Sequence, residues 1–340
     1  MKSILNINLI LGFIFFILIN KINGQVISNS KLEKKEYTSL EDALSNPNLV
    51  YSLNLGDQKT IMLSDSILLK FQNLEYLSLK NDSLIEIPSG IGNLENLKIL
   101  DLSGNNFTVL PQSFSGLQNL REIYLNNETK MDVNQSLNTI KNLPNLRILH
   151  LENDNLKSVP NALFSLTGLE ALYLDNNRFD KLSDNLWANF ENLEYLSLKN
   201  DHLKEIPSGI GNLKSLKVLD LSGNDFTFLP QSFSRLENLR EIYLNDENEM
   251  DINQSLSVIK DLPKLKILHL ENDNLQSIPQ NLLSLTQLEA LYLNKNSFNK
   301  IPVELKELDN LNLIDLHDNK FKLNIQDLQF QDSFGVKIRI

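Results

Sequence analysis

The chain has 340 residues, of which 41% are hydrophobic and 22% charged, a composition typical of a folded protein and not of a disordered one. Its formal net charge is −11, and lysine and arginine form no cluster, which disfavours nucleic acid as a partner because phosphate backbones are repelled by an acidic surface. The sequence contains no cysteine, which excludes disulfides, thiolate metal sites and a lipid-modified cysteine.

The first residues are typical of an export signal. Lys2 is followed by an apolar run of 11 residues at 9–19. A helix needs roughly 20 residues to cross a bilayer, so the run favours a signal peptide over a permanent anchor, which is the alternative. We predict cleavage after Gly24, a polar spacer over 25–36, and no stable membrane insertion of the mature chain. The protein is therefore expected to be secreted, periplasmic or on the cell surface.

An N-terminal cap is predicted over residues 37–49. Thr38-Ser39-Leu40-Glu41 fits a capping box, in which a hydroxyl side chain and an acid three residues later bond reciprocally to the backbone at the start of a helix. Pro47 is expected to end this short helix.

Residues 50–321 consist of twelve copies of one leucine-rich pattern. Each copy follows LxxLxLxxNxL, as in residues 97–107, and successive copies start 23 or 24 residues apart, with two spacings of 26. The copies start at Val50, Leu74, Leu97, Leu120, Leu146, Leu169, Leu193, Leu216, Leu239, Leu265, Leu288 and Leu311. Alternate side chains of an extended segment point to the same side, so LxL predicts a short strand with one buried face.

The second half of most copies predicts the return path of the chain. An aliphatic residue precedes proline there, as in Ile87-Pro88 and Ile206-Pro207, and proline disfavours strand pairing. No single turn can bury its own leucines, so neighbouring copies must stack. The pattern therefore predicts one parallel sheet with a longer, irregular opposite side.

This pattern resembles the leucine-rich-repeat family, in its typical 23-residue class, and is similar to secreted bacterial members such as internalins. The resemblance covers residues 50–321. It implies an α/β solenoid, a leucine-rich-repeat horseshoe with a curved parallel β-sheet on the concave face and short helical or irregular convex segments. Eukaryotic extracellular members usually have cysteine-rich caps, so the absence of cysteine favours a bacterial cell envelope.

Three features depart from a uniform array. The asparagine position holds an acid in six copies: Asp82, Glu128, Asp154, Asp201, Glu247 and Asp273. A carboxylate cannot donate a hydrogen bond, so a continuous asparagine ladder is not expected. The long copies predict true convex helices that start at Asn134 and Asn253, and residues 322–340 predict a C-terminal cap that closes with an edge strand near Val336.

The array also contains an internal duplication, in which residues 74–192 recur as 193–311. When residues 74–182 are compared with 193–301, 80 of 109 positions are identical. The likeness of the two copies therefore reports duplication first and a shared function only weakly.

The third, fifth and seventh positions of each copy are predicted to face the concave side. The candidate ligand-binding residues are Tyr76, Ile99, Asp101, Glu122, Tyr124, Ile148, His150, Glu152, Tyr173, Asp175, Tyr195, Asp220, Glu241, Tyr243, Ile267, His269, Glu271 and Tyr292. Strands lie about 4.8 Å apart, so Tyr124, His150 and Tyr173 should form an aromatic row that recurs 119 residues later. The apolar third positions should form a wide exposed stripe.

No catalytic residue, metal site or cofactor is predicted. The sequence lacks a glycine-rich phosphate loop, a nucleophile elbow and an HExxH motif, and its four histidines are scattered. Residues 246–251 are acidic enough to hold calcium, but their counterpart includes Lys130, which favours a solvated turn. Glu122 and Glu152 could form a glycosidase pair, but nothing on an open sheet is expected to shift their pKa values.

The sequence therefore favours a non-enzymatic protein-binding module. Tyrosines provide rigid anchors and carboxylates attract basic groups. One alternative is a glycan or peptidoglycan binder that uses the concave tyrosines; another is a structural spacer, in which these residues only stack on the sheet. If His150 and His269 contact the ligand, affinity should change between about pH 6 and 7. Neither the partner's identity nor the oligomeric state follows from the sequence.

Overall fold

A computed structural model describes residues 35–59, 63–179, 181–247, 249–321 and 337–340. The predicted signal peptide, most of the predicted spacer and residues 322–336 of the predicted C-terminal cap lie outside the described residues. Residues 36–340 form one compact unit. Within its described part, fourteen strands form a single sheet in the order of the sequence, and each pairs in parallel with the next, as β4 with β5 and β13 with β14.

The strands coincide with the LxL segments. Their bounds are β1 Glu36–Tyr37, β2 Ser52–Asn54, β3 Tyr76–Ser78, β4 Ile99–Asp101, β5 Glu122–Tyr124, β6 Ile148–His150, β7 Ala171–Tyr173, β8 Tyr195–Ser197, β9 Val218–Asp220, β10 Glu241–Tyr243, β11 Ile267–His269, β12 Ala290–Tyr292, β13 Leu313–Asp315 and β14 Lys337–Arg339. From β2 to β13, every strand begins at the third position of a copy. The predicted solenoid with a parallel sheet is confirmed, because equivalent residues of successive copies lie side by side.

Short helices and 3₁₀ turns form the opposite side. The α-helices are α1 Leu40–Ser45, α2 Asp65–Leu68, α3 Val133–Ile140 and α4 Ile252–Ile259. The 3₁₀ turns are Pro47–Leu49, Ser89–Asn93, Gln112–Gly116, Asn161–Ser165, Asp184–Asn189, Ser208–Asn212, Gln231–Arg235, Gln280–Ser284 and Val303–Glu307. Proline directly precedes most of these turns, as Pro88 and Pro207 do. Its fixed φ and missing N–H suit the start of a turn and not the middle of a sheet.

The two predicted convex helices are present as α3 and α4, and each begins one residue earlier than Asn134 or Asn253. Asp132 and Asp251 cap them, since each carboxylate accepts a hydrogen bond from the backbone N–H three residues later at 2.9 Å. The longer spacing of these two copies therefore accommodates a true helical turn.

The predicted N-terminal capping box is off by one residue. Ser39, and not Thr38, caps α1, and its hydroxyl accepts from the Asp42 N–H at 3.3 Å. The predicted boundary between spacer and cap also falls inside β1, whose Tyr37 pairs with Leu53 of β2. A two-residue strand has almost no sequence signal of its own, because it forms only where an existing sheet edge offers partners.

The inward leucines form one continuous core along the sheet. Leu53, Leu100 and Leu149 are fully buried, as are their equivalents in the other copies. Trp187 and Phe190 fill the convex side of the core near the junction of the two duplicated blocks. Because every copy buries its leucines against the next, the strand positions and their spacing are fixed by neighbours and not by the copy alone.

At the other end, β14 closes the described sheet in parallel with β13, as the alternation near Val336 predicted. Ile338 points inward and is buried, while Arg339 reaches Asp315 at 3.4 Å. Across the described ranges, no helix combines the length and apolar character needed to cross a bilayer.

Candidate functional site

Two stacked aromatic rows lie on the concave face, by which we mean the sheet face that carries the third, fifth and seventh positions. The first row is Tyr124, His150 and Tyr173, which the register of β5, β6 and β7 places opposite one another. The His150 ring lies 3.9 Å from the Tyr124 ring and 4.3 Å from the Tyr173 ring, with interplanar angles of 10° and 9°. The predicted row is therefore present and its rings are in face-to-face contact.

The second row, Tyr243, His269 and Tyr292, repeats this geometry. Its ring separations are 3.8 Å and 4.3 Å, with angles of 11° and 6°. The rows differ at one end, because Tyr195 of β8 stacks on Tyr173 at 4.7 Å with a 35° tilt. The residue equivalent to Tyr195 beyond the second row is Leu313. The first row therefore has four rings and the second has three.

Each histidine is held between two glutamates. His150 Nε2 lies 3.0 Å from Glu122 Oε1, and its Nδ1 lies 3.2 Å from Glu152 Oε1. The corresponding distances from His269 to Glu241 and Glu271 are 3.0 Å and 3.1 Å. All six residues lie on the concave face, as their repeat positions predict, but the contacts between each histidine and its two glutamates were not predicted. The available signal was a glutamate two residues after each histidine and another on the preceding strand.

The paired glutamates determine the charge of the histidine. Burial opposes the charged form, but the negative charge of Glu152 and the hydrogen bonds that the ring donates to both glutamates outweigh it and raise the pKa of His150 to about 9. Burial likewise opposes the charge of His269, and bonds to Glu241 and Glu271 again raise its pKa. His150 is therefore an imidazolium near neutral pH, stacked between two electron-rich rings that favour a cation.

This finding corrects the predicted pH range. The ordinary imidazole pKa would place a change of charge between about pH 6 and 7. With a pKa of about 9, His150 stays protonated throughout that interval. Any change in binding caused by loss of this charge is expected above pH 8, because the two glutamates stabilise the protonated imidazole.

We expect an NMR titration of His150 to have its midpoint near pH 9, and Glu152→Gln to move it downward. Since the folded pKa lies above the unfolded value of 6.5, the stabilisation is complete below that value and is lost as pH rises through about 9. His202, which is largely exposed, is the internal control. A midpoint between pH 6 and 7 for wild-type His150 would contradict the assigned contacts.

The concave side chains are less exposed than predicted. Both histidines are only 7% exposed, and Tyr76, Ile99, Ile148, Tyr195 and Ile267 are each partly buried. In the described residues, the exposed large hydrophobic side chains are Leu49, Leu69, Ile85, Phe228, Val303 and Ile340, none of them on this face. The predicted wide exposed stripe is therefore wrong, because side chains on adjacent strands lie close enough to cover one another.

Further carboxyl groups flank the rows. Asp101 and Asp220 accept hydrogen bonds from Ser103 and Ser222, yet burial raises the pKa of both. Burial also raises the pKa of Asp175 to about 7, and Glu152 and Asp220 add to the rise. Lys80 and Lys199 occupy the seventh position on the same face and partly offset the rise at Asp101 and Asp220. The concave face therefore carries basic side chains beside its acids, and several of the acids are poorly solvated.

The contacts of Glu122 and Glu152 do not suit them to acid catalysis. Glu122 and Glu152, the conceivable glycosidase pair, bond to opposite nitrogens of the same imidazole. That contact lowers the pKa of Glu122 although burial alone would raise it. A general acid needs the opposite shift. No group of three potential metal ligands occurs within the described ranges.

Models of known protein families match most of the chain. Models described as "Leucine-rich repeat region" and "Leucine rich repeat" match residues 50–135 and 185–254, and residues 144–203 and 263–321, respectively. The protein belongs to the leucine-rich-repeat family, whose members generally act as protein-interaction modules. No curated protein sequence matches the chain.

Solved structures with the same fold include bacterial proteins. An internalin from Listeria monocytogenes is 26% identical with a TM-score of 0.57, over 79% of this chain and 81% of that one. A leucine-rich-repeat protein of Leptospira interrogans is also 26% identical, with a TM-score of 0.56, over 90% and 100% of the respective chains. The mouse RP105/MD-1 complex, at 22% identity and a TM-score of 0.63, covers 91% of this chain and 57% of that chain and shows the fold alone.

Proposed function

We propose that this protein is a non-enzymatic binding module that holds a protein partner on its concave face, with the two aromatic rows as anchors. The observation that carries this proposal is the duplicated, pre-stacked geometry of the rows. Rings held by stacking and by charged hydrogen bonds lose little conformational entropy when a partner docks. Tyrosine is enriched among residues that contribute most to interface affinity.

The chemistry of the face favours a partner with basic side chains. Acids form a margin along both rows: Asp101, Glu122, Glu152 and Asp175 in the first copy, and Asp220, Glu241 and Glu271 in the second, where Asn294 takes the place of the fourth acid. The histidines neutralise part of this charge, since each imidazolium is bonded to two of the acids. A lysine or arginine of the partner can pair with the remaining carboxyl groups.

Stacking makes the glycan alternative less favourable. A sugar needs a free ring face, but Tyr124 and Tyr173 both direct one face at His150, and the other face of Tyr173 contacts Tyr195. The other alternative, a spacer without a ligand, predicts that the tyrosines have no role in binding.

Site-specific photocrosslinking tests the proposal. A crosslinker replaces Tyr195 on the concave face or Ser257 on the convex helix α4, and the folded protein is exposed to extracts of its native cells and their surroundings. We expect a protein to be captured from the concave position only. The captured protein, once purified, should bind the Tyr124→Ala/Tyr243→Ala variant at least tenfold more weakly than wild type, because anchor residues cost about 2 kcal/mol or more when truncated.

The matched control for affinity is Ser257→Ala, which lies on the opposite side of the sheet and should leave the Kd unchanged. Equal affinity of the captured protein for wild type and the tyrosine variant would end the proposal. Selective binding to a glycan array that requires Tyr124 would support the glycan alternative instead.

We also propose that the protein is exported to the cell surface or beyond, on the basis of the apolar run at residues 9–19. If the chain recovered outside the cytoplasm has the mass expected for a start at Gln25, the proposal is supported. A cytoplasmic protein that keeps residues 1–24 would contradict it.

A further inference from the structure

From the second copy onward, a column of polar side chains runs through the interior at the ninth position of each copy, and we call this column the ladder; the first copy has the exposed Gln58 at that position. Five described members are asparagines: Asn105, Asn177, Asn224, Asn296 and Asn319. Asn177 shows their common pattern. Its Oδ1 accepts from the Asp154 N–H of the preceding copy, and its Nδ2 donates to Leu151 O and Leu174 O at 2.9 Å and 2.6 Å. Each asparagine therefore serves as acceptor and donor at once.

The other six described members are the ladder acids: Asp82, Glu128, Asp154, Asp201, Glu247 and Asp273. They keep the acceptor half of the pattern. Asp201 Oδ1 accepts from the Asn177 N–H at 2.6 Å, and Asp154 Oδ1 accepts from the Glu128 N–H at 2.6 Å. All six side chains are at least nine-tenths buried, and Asp201 is fully buried.

The donor half is missing at every ladder acid. The second carboxyl oxygen of each of the six is buried and has no hydrogen-bond partner among the described residues. Since the first oxygen makes the contact that Asn Oδ1 makes elsewhere, the second oxygen of each ladder aspartate is the chemical equivalent of the amide nitrogen, which in the asparagines donates to two leucine carbonyls. The ladder glutamates carry the same pair of oxygens on a side chain one methylene longer. A deprotonated oxygen cannot donate to a carbonyl, and an unpaired buried charge is costly.

We infer that the ladder acids are neutral carboxylic acids in the folded protein, whose O–H groups replace the asparagine amide as donors to the leucine carbonyls, and that the solenoid is consequently held together by protons that it releases as pH rises. A carboxylic acid supplies one donor and one acceptor, which is the minimum needed to continue the ladder. The proton moves to solvent on ionisation, and no other bond changes.

The net effect of the surroundings is to oppose ionisation of the ladder acids. Burial is the largest cause in each case, and it raises the pKa of Glu128 to about 8, Asp154 to about 7, Asp201 to about 8, Glu247 to about 9 and Asp273 to about 8. Burial also raises the pKa of Asp82. Backbone N–H groups lower these values only in part.

The charged side chains that act on the ladder acids are themselves carboxyl groups. Glu128 faces Asp154, and Glu247 faces Asp273, so each copy of the duplication contains two adjacent ladder acids. Outside the ladder, the groups are Asp57, Asp101, Glu152, Asp175, Asp225, Asp246 and Glu271. Each adds repulsion to any charge that develops.

The pH dependence follows from the raised pKa values. In the unfolded chain these acids ionise near their ordinary values of 3.8 and 4.5. Their stabilising contribution is therefore complete below about pH 4 and is lost as pH rises through about 7–9.

Infrared spectroscopy of the full chain tests the protonation state directly. At pH 7, the wild-type protein should show absorption of buried protonated carboxyl groups, and part of it should disappear in Asp201→Asn and in Asp154→Asn. Carboxylate absorption alone at pH 7 would overturn the inference.

Thermal unfolding tests the consequence with matched variants. At pH 8, Asp201→Asn should raise the Tm by about 2–4 °C, because the amide donates without holding a proton, and the gain should shrink at pH 4.5. The reverse change, Asn177→Asp, should lower the Tm more at pH 8 than at pH 4.5. Asp261→Asn removes an exposed charge outside the ladder and controls for net charge. The inference fails if Asp201→Asn changes the Tm by the same amount at both pH values. It also fails if Asp261→Asn changes the Tm in the same way as Asp201→Asn does.

Discussion

Trp187→Ala is expected to lower the free energy of unfolding by about 3–5 kcal/mol, one of the largest effects available in this chain. The side chain is fully buried, and its ring packs beside Phe190 with the centroids 6.4 Å apart. Removal of the indole leaves a cavity between stacked copies, and a parallel sheet joined on both sides cannot collapse freely into it. Urea denaturation followed by circular dichroism measures the loss.

Trp187→Phe provides the informative comparison. The indole Nε1 is buried and has no hydrogen-bond partner, and such a donor costs about 1–3 kcal/mol. Phenylalanine removes that donor but leaves a smaller void, so the two effects offset each other and the net change should be below about 1 kcal/mol. Equal losses for Phe and Ala would mean that ring packing is not what Trp187 contributes.

The second large effect is expected for His150→Ala, which should lower the free energy of unfolding by about 3 kcal/mol at pH 7. The reason is that it removes the cation shared by two partly buried carboxylates. Glu122 and Glu152 would then face one another without the imidazolium, and Tyr124 and Tyr173 would lose the ring between them. His269→Ala should show a similar loss, since its contacts are equivalent. Urea denaturation of each variant at pH 7 measures both.

A double-mutant cycle separates charge from ring packing. In a Glu122→Gln/Glu152→Gln background, His150→Ala should cost only about 1 kcal/mol, which is the usual size of an aromatic stacking contribution. An identical loss in both backgrounds would show that the histidine acts only as a packed ring.

Much of the candidate site could be predicted from the sequence because the repeat converts sequence spacing into position. Tyr124, His150 and Tyr173 occupy the same place in consecutive copies, so a parallel register forces them to be neighbours. The contact between Tyr173 and Tyr195 could not be predicted in this way. These residues occupy different positions of their copies and meet only because ring size and tilt allow a diagonal contact.

The pKa of His150 could not be predicted either. The sequence shows glutamates near the histidine, but their orientation decides whether they raise the pKa or leave it to be lowered by burial. The structure brings both Oε1 atoms to the two ring nitrogens, and this pairing reverses the direction that burial alone would give.

The ladder acids also separate what the sequence predicts from what only the structure shows. The sequence identified six acids in asparagine positions and indicated an interrupted ladder. The structure shows that the acceptor half continues through them, while each leaves one buried oxygen without a donor. Whether such an acid is charged depends on its desolvation and on neighbours from other copies, as with Asp201 and Asp175, which are 26 residues apart.

By itself, therefore, the sequence determined the family, the strand positions and the face on which each repeated residue lies, because a fixed spacing and a two-residue alternation suffice for these. Tertiary structure alone decided the first short strand at Glu36–Tyr37 and the protonation of buried groups. Each depends on atoms from segments that are distant in sequence, and their relative placement exists only once the copies have stacked.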